Sequence, residues 1–430
     1  MTASTDIRTA PIPLLDRRPP WRHTLIALSV PNYRLFAFSH FVAMTAIWIQ
    51  RISQDWLVLQ LSGNVAAVGI TVAMQFAPML LFGMFGGLIA DRFPKRTLLI
   101  ITQGFSAALS ATLAVLALSG AIEVWHIYVI ALLSGFVTVV DNPARQVFVS
   151  EVVGHRHLSN AISLNASIFQ LGGLIGPAIS GVLLLGVGAG WSFAINSAAC
   201  LVVVVILLLL RTADLSPAPA VARAKGQLRE ALVYVARKPE ILWTLVMVAF
   251  LAIFAFTMPV LLAAYADEVF ETGAGGYGLY NSVLAGGALV GAVASTRRAS
   301  LKLKTVLIAA GLYALLQAVG GLMPGEFAFC LMLFAIGVLN LLFITGANAL
   351  VQLSSNPSIR GRVMSLYVLL LLGGQAIGGP VMGWIVDSYG AHTGMVISGT
   401  VPAVAAIGIG IILDRRRRAR AKRSVVPTYR

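Results

Sequence analysis

The chain has 430 residues, of which 58% are hydrophobic and 11% charged, with mean hydropathy +0.87. One soluble core cannot hide that much apolar surface, so the composition excludes a soluble globular protein and points to an all-α polytopic membrane protein. The formal net charge of +15 raises nucleic acid as a partner, but the placement of the cations along the chain makes that explanation unnecessary.

Residues 1–34 are polar, basic and proline-bearing, without the apolar run and small-residue cleavage site of a signal peptide. The first membrane helix is therefore expected to direct insertion. Apolar runs then fall near 35–57, 66–90, 95–119, 124–143, 158–187, 190–210, 241–266, 276–296, 303–322, 326–347, 361–387 and 393–413. Each is long enough to span, since about 20 helical residues cross the hydrocarbon core. The spacing predicts a cytoplasmic segment 1–34, a six-helix bundle 35–210, a linker 211–240 holding Pro217 and Pro219, a second bundle 241–413 and a basic tail 414–430.

Helix 1 holds Arg51 and Asp55, four residues apart and so on one helical face. An ionisable residue within a span is by default a functional candidate. Asp55 and Arg51 are the proton-coupling candidates, with a proton gradient as the energy source and no cofactor. A permanent salt bridge that merely orients helix 1 is the other reading. His40, Met44 and Trp48 follow the same face, which places His40 and Trp48 towards a central cavity.

Between runs two and three, Gly86-Gly87-Leu-Ile-Ala-Asp91-Arg92-Phe-Pro94-Lys95-Arg96 forms a charged turn. Three cations there must lie at a membrane face. After run four comes Asp141-Asn142-Pro143-Ala144-Arg145. Gly87, Asp91, Arg92, Arg96, Asp141 and Arg145 are expected to form a latch of partly exposed pairs at the cytoplasmic side.

Gly172–Gly181 of helix 5, with its Gly176-Pro177 pair, is echoed by Gly373–Gly383 of helix 11, with Gly379-Pro380, 203 residues later. Gly-xxx-Gly pairs at Gly83/Gly87, Gly172/Gly176, Gly287/Gly291 and Gly374/Gly378 fall on helices 2, 5, 8 and 11. Such spacing permits close backbone approach, so these glycines are expected to line a sliding seam between two halves. The architecture expected is twelve transmembrane helices in two six-helix bundles related by a pseudo-two-fold repeat, with cargo bound between them.

Placing the N-terminus inside puts every Lys or Arg except Arg51 at the cytoplasmic side, while Glu123, Asp267, Glu268, Glu271, Glu326 and Asp387 face out. That asymmetry predicts a cell-membrane protein with both termini cytoplasmic. Its basic tail would touch anionic lipid headgroups. Cys200 and Cys330 lie in apolar runs and are expected to pack, with no metal site.

The Gly83–Arg96 stretch resembles the loop between helices 2 and 3 of the major facilitator superfamily, in which the aspartate helps latch the two halves. Asp141–Val149 followed by the helix 5 Gly-Pro motif is similar to the exporter branch that includes macrolide, tetracycline-type and siderophore efflux proteins. The Gly-Pro motif in that position is associated with proton antiporters, so the resemblance implies proton-coupled export. Two departures stand: Gly173 sits where many of those relatives place an arginine, and helix 8 ends in a loop copy lacking its aspartate.

Cargo has the thinnest signal. Gln170, Phe250, Phe254 and Asn340 could line an apolar cavity, which favours an amphipathic small molecule, drug-like or siderophore-like. An importer or lipid carrier of the same fold is the alternative. There is no HExxH or GxSxG motif and no phosphate-binding loop, so no enzyme is expected. A monomer is expected.

Overall fold

The computed structural model describes residues 25–215, 227–295, 302–356 and 359–424. Among them, twelve helices are long and apolar enough to cross a membrane. They are α1 Pro31–Ser62, α2 Val65–Arg92, α3 Lys95–Leu118, α4 Val124–Gly154, α5 Asn160–Gly186 and α6 Ala189–Leu209, then α7 Pro239–Val269, α8 Gly273–Ser295, α9 Leu303–Gly320, α10 Glu326–Ser354, α11 Arg360–Tyr389 and α12 Ala391–Arg415. A short linker helix, Gln227–Arg237, precedes α7. Odd-numbered spans start at the end of the bundle that carries Lys95, Arg96, Lys304, Arg360 and Arg362, here the basic end; Glu123, Glu326 and Asp387 mark the acidic end.

Local chemistry explains the boundaries. Pro31 opens α1, where its missing N–H costs nothing, and Gly63 closes it in the left-handed region at φ 60. Asn64 then caps α2 by accepting from the Ala66 N–H at 2.6 Å, so two helices turn over two residues.

The largest departure from the expected boundaries is in α4. Asp141-Asn142-Pro143 lies inside α4, which runs on to Gly154. Phe148, Val149, Val152 and Val153 bury an apolar stripe beyond the proline, and Asp141 and Arg145 pair, so the helix continues. Gly154, at φ 64 and ψ 179, makes the break into α5 that a side chain would resist.

α7 is interrupted. Its helix stops at Phe254 and resumes at Met258, then ends in a π turn, Tyr265–Val269. Pro259 has no N–H to give the Ala255 carbonyl four residues back. That carbonyl instead accepts from Tyr313 Oη at 3.1 Å and Gln317 Nε2 at 3.3 Å, and Gln317 also donates to Ser398 at 2.8 Å.

The equivalent place in the first half holds Gln50, whose side-chain oxygen accepts from Ser110 and from Asn196, both at 2.7 Å. Thus α1, α3 and α6 are tied as α7, α9 and α12 are. The same six-helix shift relates the other contacts. α1 packs on α5 as α7 packs on α11, α2 on α4 as α8 on α10, and α3 on α6 as α9 on α12. Between the chain halves, α2 meets α11 and α5 meets α8.

Candidate functional site

The seam between the halves is tightest towards the acidic end. Gly69 on α2 abuts the backbone of Gly379 and Gly383 on α11, and Gly181 on α5 abuts Gly278 on α8. A Cβ on Gly379 would sit 2.5 Å from the Gly69 carbonyl, and one on Gly278 would sit 2.7 Å from the Pro177 carbonyl. Backbones touch here because no side chain intervenes.

A polar contact crosses the same region. Tyr277 on α8 donates from its hydroxyl to Asp55 Oδ2 on α1 at 3.3 Å, and its ring stacks on Trp56 with centroids 5.9 Å apart. Asp55 is buried, and its Oδ1 has no partner among the described residues. Tyr277 was not singled out from the sequence. Its signal was an aromatic hydroxyl set among glycines, Gly273-Ala-Gly-Gly-Tyr-Gly278, on a helix predicted to lie at the seam.

The expected Arg51–Asp55 salt bridge is not formed. Tyr277 bonds one carboxylate oxygen, while the Arg51 guanidinium lies over the rings of Trp48 and Phe76, 5.8 and 5.7 Å from their centroids. Trp48 is half-buried, with Phe169 edge-on at 5.8 Å.

His40 departs from its expected cavity position. It is buried and stacked on Phe36, because the extension of α4 brings Phe148 over that part of α1, 5.5 Å from Phe36. Phe250 departs too, being exposed beside Thr400, Val401 and Val404 in a shallow apolar crevice between α7 and α12. Gln170, Phe254 and Asn340 are half-buried, and Asn340 Oδ1 lacks a partner among the described residues.

The seam glycines divide. Gly172 and Gly176 press on Met44, Thr45 and Trp48 of α1; Gly374 and Gly378 press on Ala252 and Ile253 of α7; Gly287 and Gly291 press on Phe334 and Val338 of α10. Each pair packs within its own half, against the expectation from sequence. Gly83 has only its own helix's Met79 nearby, and Gly86 faces Val139 on α4. Gly379, beside Pro380, and the carbonyl of Pro177 do lie at the junction of the halves. The helices at the seam are the expected ones, but the glycine ridges there are one helical face away.

The latch residues do not converge. Asp141 and Arg145 form a buried pair at 2.9 Å, and Asp141 also accepts from Thr102 at 2.7 Å and Gln103 at 3.0 Å on α3. This cluster is interior to the first half, not a partly exposed gate. Arg96 donates to the carbonyls of Leu207 and Leu208, at 2.7 and 2.9 Å, and so closes the end of α6. Gly87 and Arg92 lie in the last turns of α2, with Arg92 exposed; the side chain of Asp91 lies outside the described residues. In the second half, Arg362 pairs with Glu230 of the linker helix, and Lys238 donates to the Ser354 carbonyl at 3.0 Å.

Residues 23–424 match the family described as transmembrane secretion effector. Among curated proteins, the chain is 24% identical over 401 residues to the enterobactin exporter EntS of Citrobacter koseri, covering 92% of this chain and 94% of that protein. It is 34% identical over 152 residues to the staphyloferrin A transporter of Staphylococcus aureus, a match spanning 35% of this chain and 38% of that protein. Among solved structures, the nucleoside transporter NupG superposes with TM-score 0.70 at 13% identity, over 89% of this chain and 99% of that one. A bacterial homologue of the lysosomal transporter Spinster gives 0.67 at 16% identity, over 91% and 97%. With twelve spans, a two-fold repeat of contacts and a family match over nearly its whole length, the chain belongs to the transmembrane secretion effector family of major facilitator superfamily transporters and is not an enzyme.

Proposed function

We propose that this protein exports a siderophore-like small molecule from the cytoplasm in exchange for protons, working by alternating access. The basic end is cytoplasmic on this reading, as the positive-inside rule requires, and one chain carries the whole cycle. The observation that carries the reading is the Asp55–Tyr277 bond, which ties the halves together at the acidic end. Asp55 is buried while that end is closed, and parting of α1 from α8 would expose it to water. A titratable group whose surroundings change with the conformational state is what coupling requires, because a ligand shifts an equilibrium only through its differential affinity for the two states. The similarity to an enterobactin exporter and a staphyloferrin A transporter supports a siderophore-like cargo.

The test uses inside-out membrane vesicles with an acidic interior, supplied with enterobactin or staphyloferrin A. Uptake should collapse when an uncoupler is added and should lose its dependence on the gradient in Asp55→Asn. Uptake that ignores the uncoupler in the unaltered protein would make it a facilitator, and gradient-driven uptake by Asp55→Asn would remove the aspartate from the coupling role.

A further inference from the structure

We infer that Arg51 is the anion anchor of the cargo site, and that the cargo carries a carboxylate on a flat apolar body. The inference rests on the transport reading for the existence of a cargo site, but not on proton coupling. Away from helix ends, the spans contain two cations, Arg51 and Arg145. Arg145 is committed to Asp141 inside the first half. Arg51 has no hydrogen bond, and no ion pair at contact distance, among the described residues; Asp55, one turn away on the same helix, acts on it through charge at longer range.

An arginine stays charged at any relevant pH and presents donors in a planar fork suited to a carboxylate. Leaving such a group without a contact ion pair within a membrane span is costly, so its retention calls for a function. The two aromatic rings offset part of that cost through their negative faces, and they leave the fork itself uncommitted. Asp55 Oδ1 is sealed in protein, whereas no Arg51 nitrogen is among the sealed, unpartnered atoms.

The walls of the site suit a flat acid. Trp48 leans towards α5 at Gly173, where an added Cβ would lie 3.4 Å from the indole. Arg51 and Phe76 each lie eleven residues from the acidic end of their helix, Ser62 and Val65 respectively, which puts them at one depth about 16 Å along the helix from that end. A ligand's acidic group would engage Arg51 while its apolar body lies against Trp48 or Phe76.

The test is equilibrium dialysis with the full chain in lipid nanodiscs and no pH gradient, using 2-naphthoate and 2-naphthamide as probes of equal shape and different charge. The naphthoate should bind at least tenfold tighter than the amide. Arg51→Gln should lower naphthoate affinity at least tenfold and leave the amide unchanged, which also reports that the variant is folded. Phe76→Glu, which offers Arg51 an internal partner, should erase the preference without removing the arginine. Wild-type protein that shows no preference for the acid, including one that binds neither probe, overturns the proposal, as does either variant keeping the preference. Loss of gradient-driven uptake in vesicles would sink proton coupling alone and leave this binding result standing.

Discussion

The hydroxyl of Tyr277 stands 3.3 Å from Asp55 Oδ2, and the bond runs from α8 to α1, between residues 222 positions apart. It is a polar bond spanning the two halves where their backbones are also closest. Tyr277→Phe keeps the ring on Trp56 and removes the donor. The expected cost to the closed acidic end is about 1.5 kcal/mol, or roughly tenfold in the open-to-closed ratio. Spin labels on the exposed positions Leu61 and Tyr389 should then report a larger population at long distance, and an unchanged distribution would refute a closing role for this bond.

Two glycines that look alike in sequence should fail differently. Gly379→Leu places a side chain against the Gly69 carbonyl and Val72 across the seam, so it should block closure of the acidic end while leaving each half intact. Gly176→Leu drives into Trp48 Cβ and Thr45 within the first half, where overpacking costs about 1–3 kcal/mol or more. The first variant should express and melt normally but not transport. The second should melt earlier and accumulate less. Identical melting of both would remove the distinction between seam and interior.

Removing Asp141 strands a buried guanidinium. Asp141→Ala leaves Arg145 without its 2.9 Å partner and is expected to destabilise the first half by about 3–5 kcal/mol, visible as a lower melting temperature in detergent. Asp141→Ala combined with Arg145→Met should recover most of that loss. An exposed gate pair would show almost no change in melting for either variant.

The two buried ties should be unequal. Gln50→Leu takes the acceptor from both Ser110 and Asn196 and should cost about 1–3 kcal/mol. Gln317→Leu leaves the Ala255 carbonyl still bonded to Tyr313, so its effect on melting should be smaller. A larger loss from Gln317→Leu would mean that the interrupted α7 depends on that glutamine more than on the tyrosine.

The spans, their number and the fold class were legible in the sequence, because apolar run length and hydropathy are sums along the chain and a bilayer reads them one segment at a time. The repeat of Gly-Pro segments was legible for the same reason, as was the identity of the four helices at the seam. The reach of α4 through Pro143 was not, since a proline inside a helix is decided by what the flanking turns bury.

Rotation of each helix about its own axis was hidden as well, and it decides whether Gly172 and Gly176 face α1 or the other half. The placing of His40 under Phe36 and of Phe250 against α12 follows from the same rotation and from neighbours supplied by distant segments. Arg51 and Asp55 lie within a span, as apolar run length indicates, but Tyr277, which bonds Asp55, comes from a distant segment. Local spacing puts two charges on one helix face; a hydroxyl from the far half of the chain bonds the carboxylate, and rings from two helices lie beside the guanidinium.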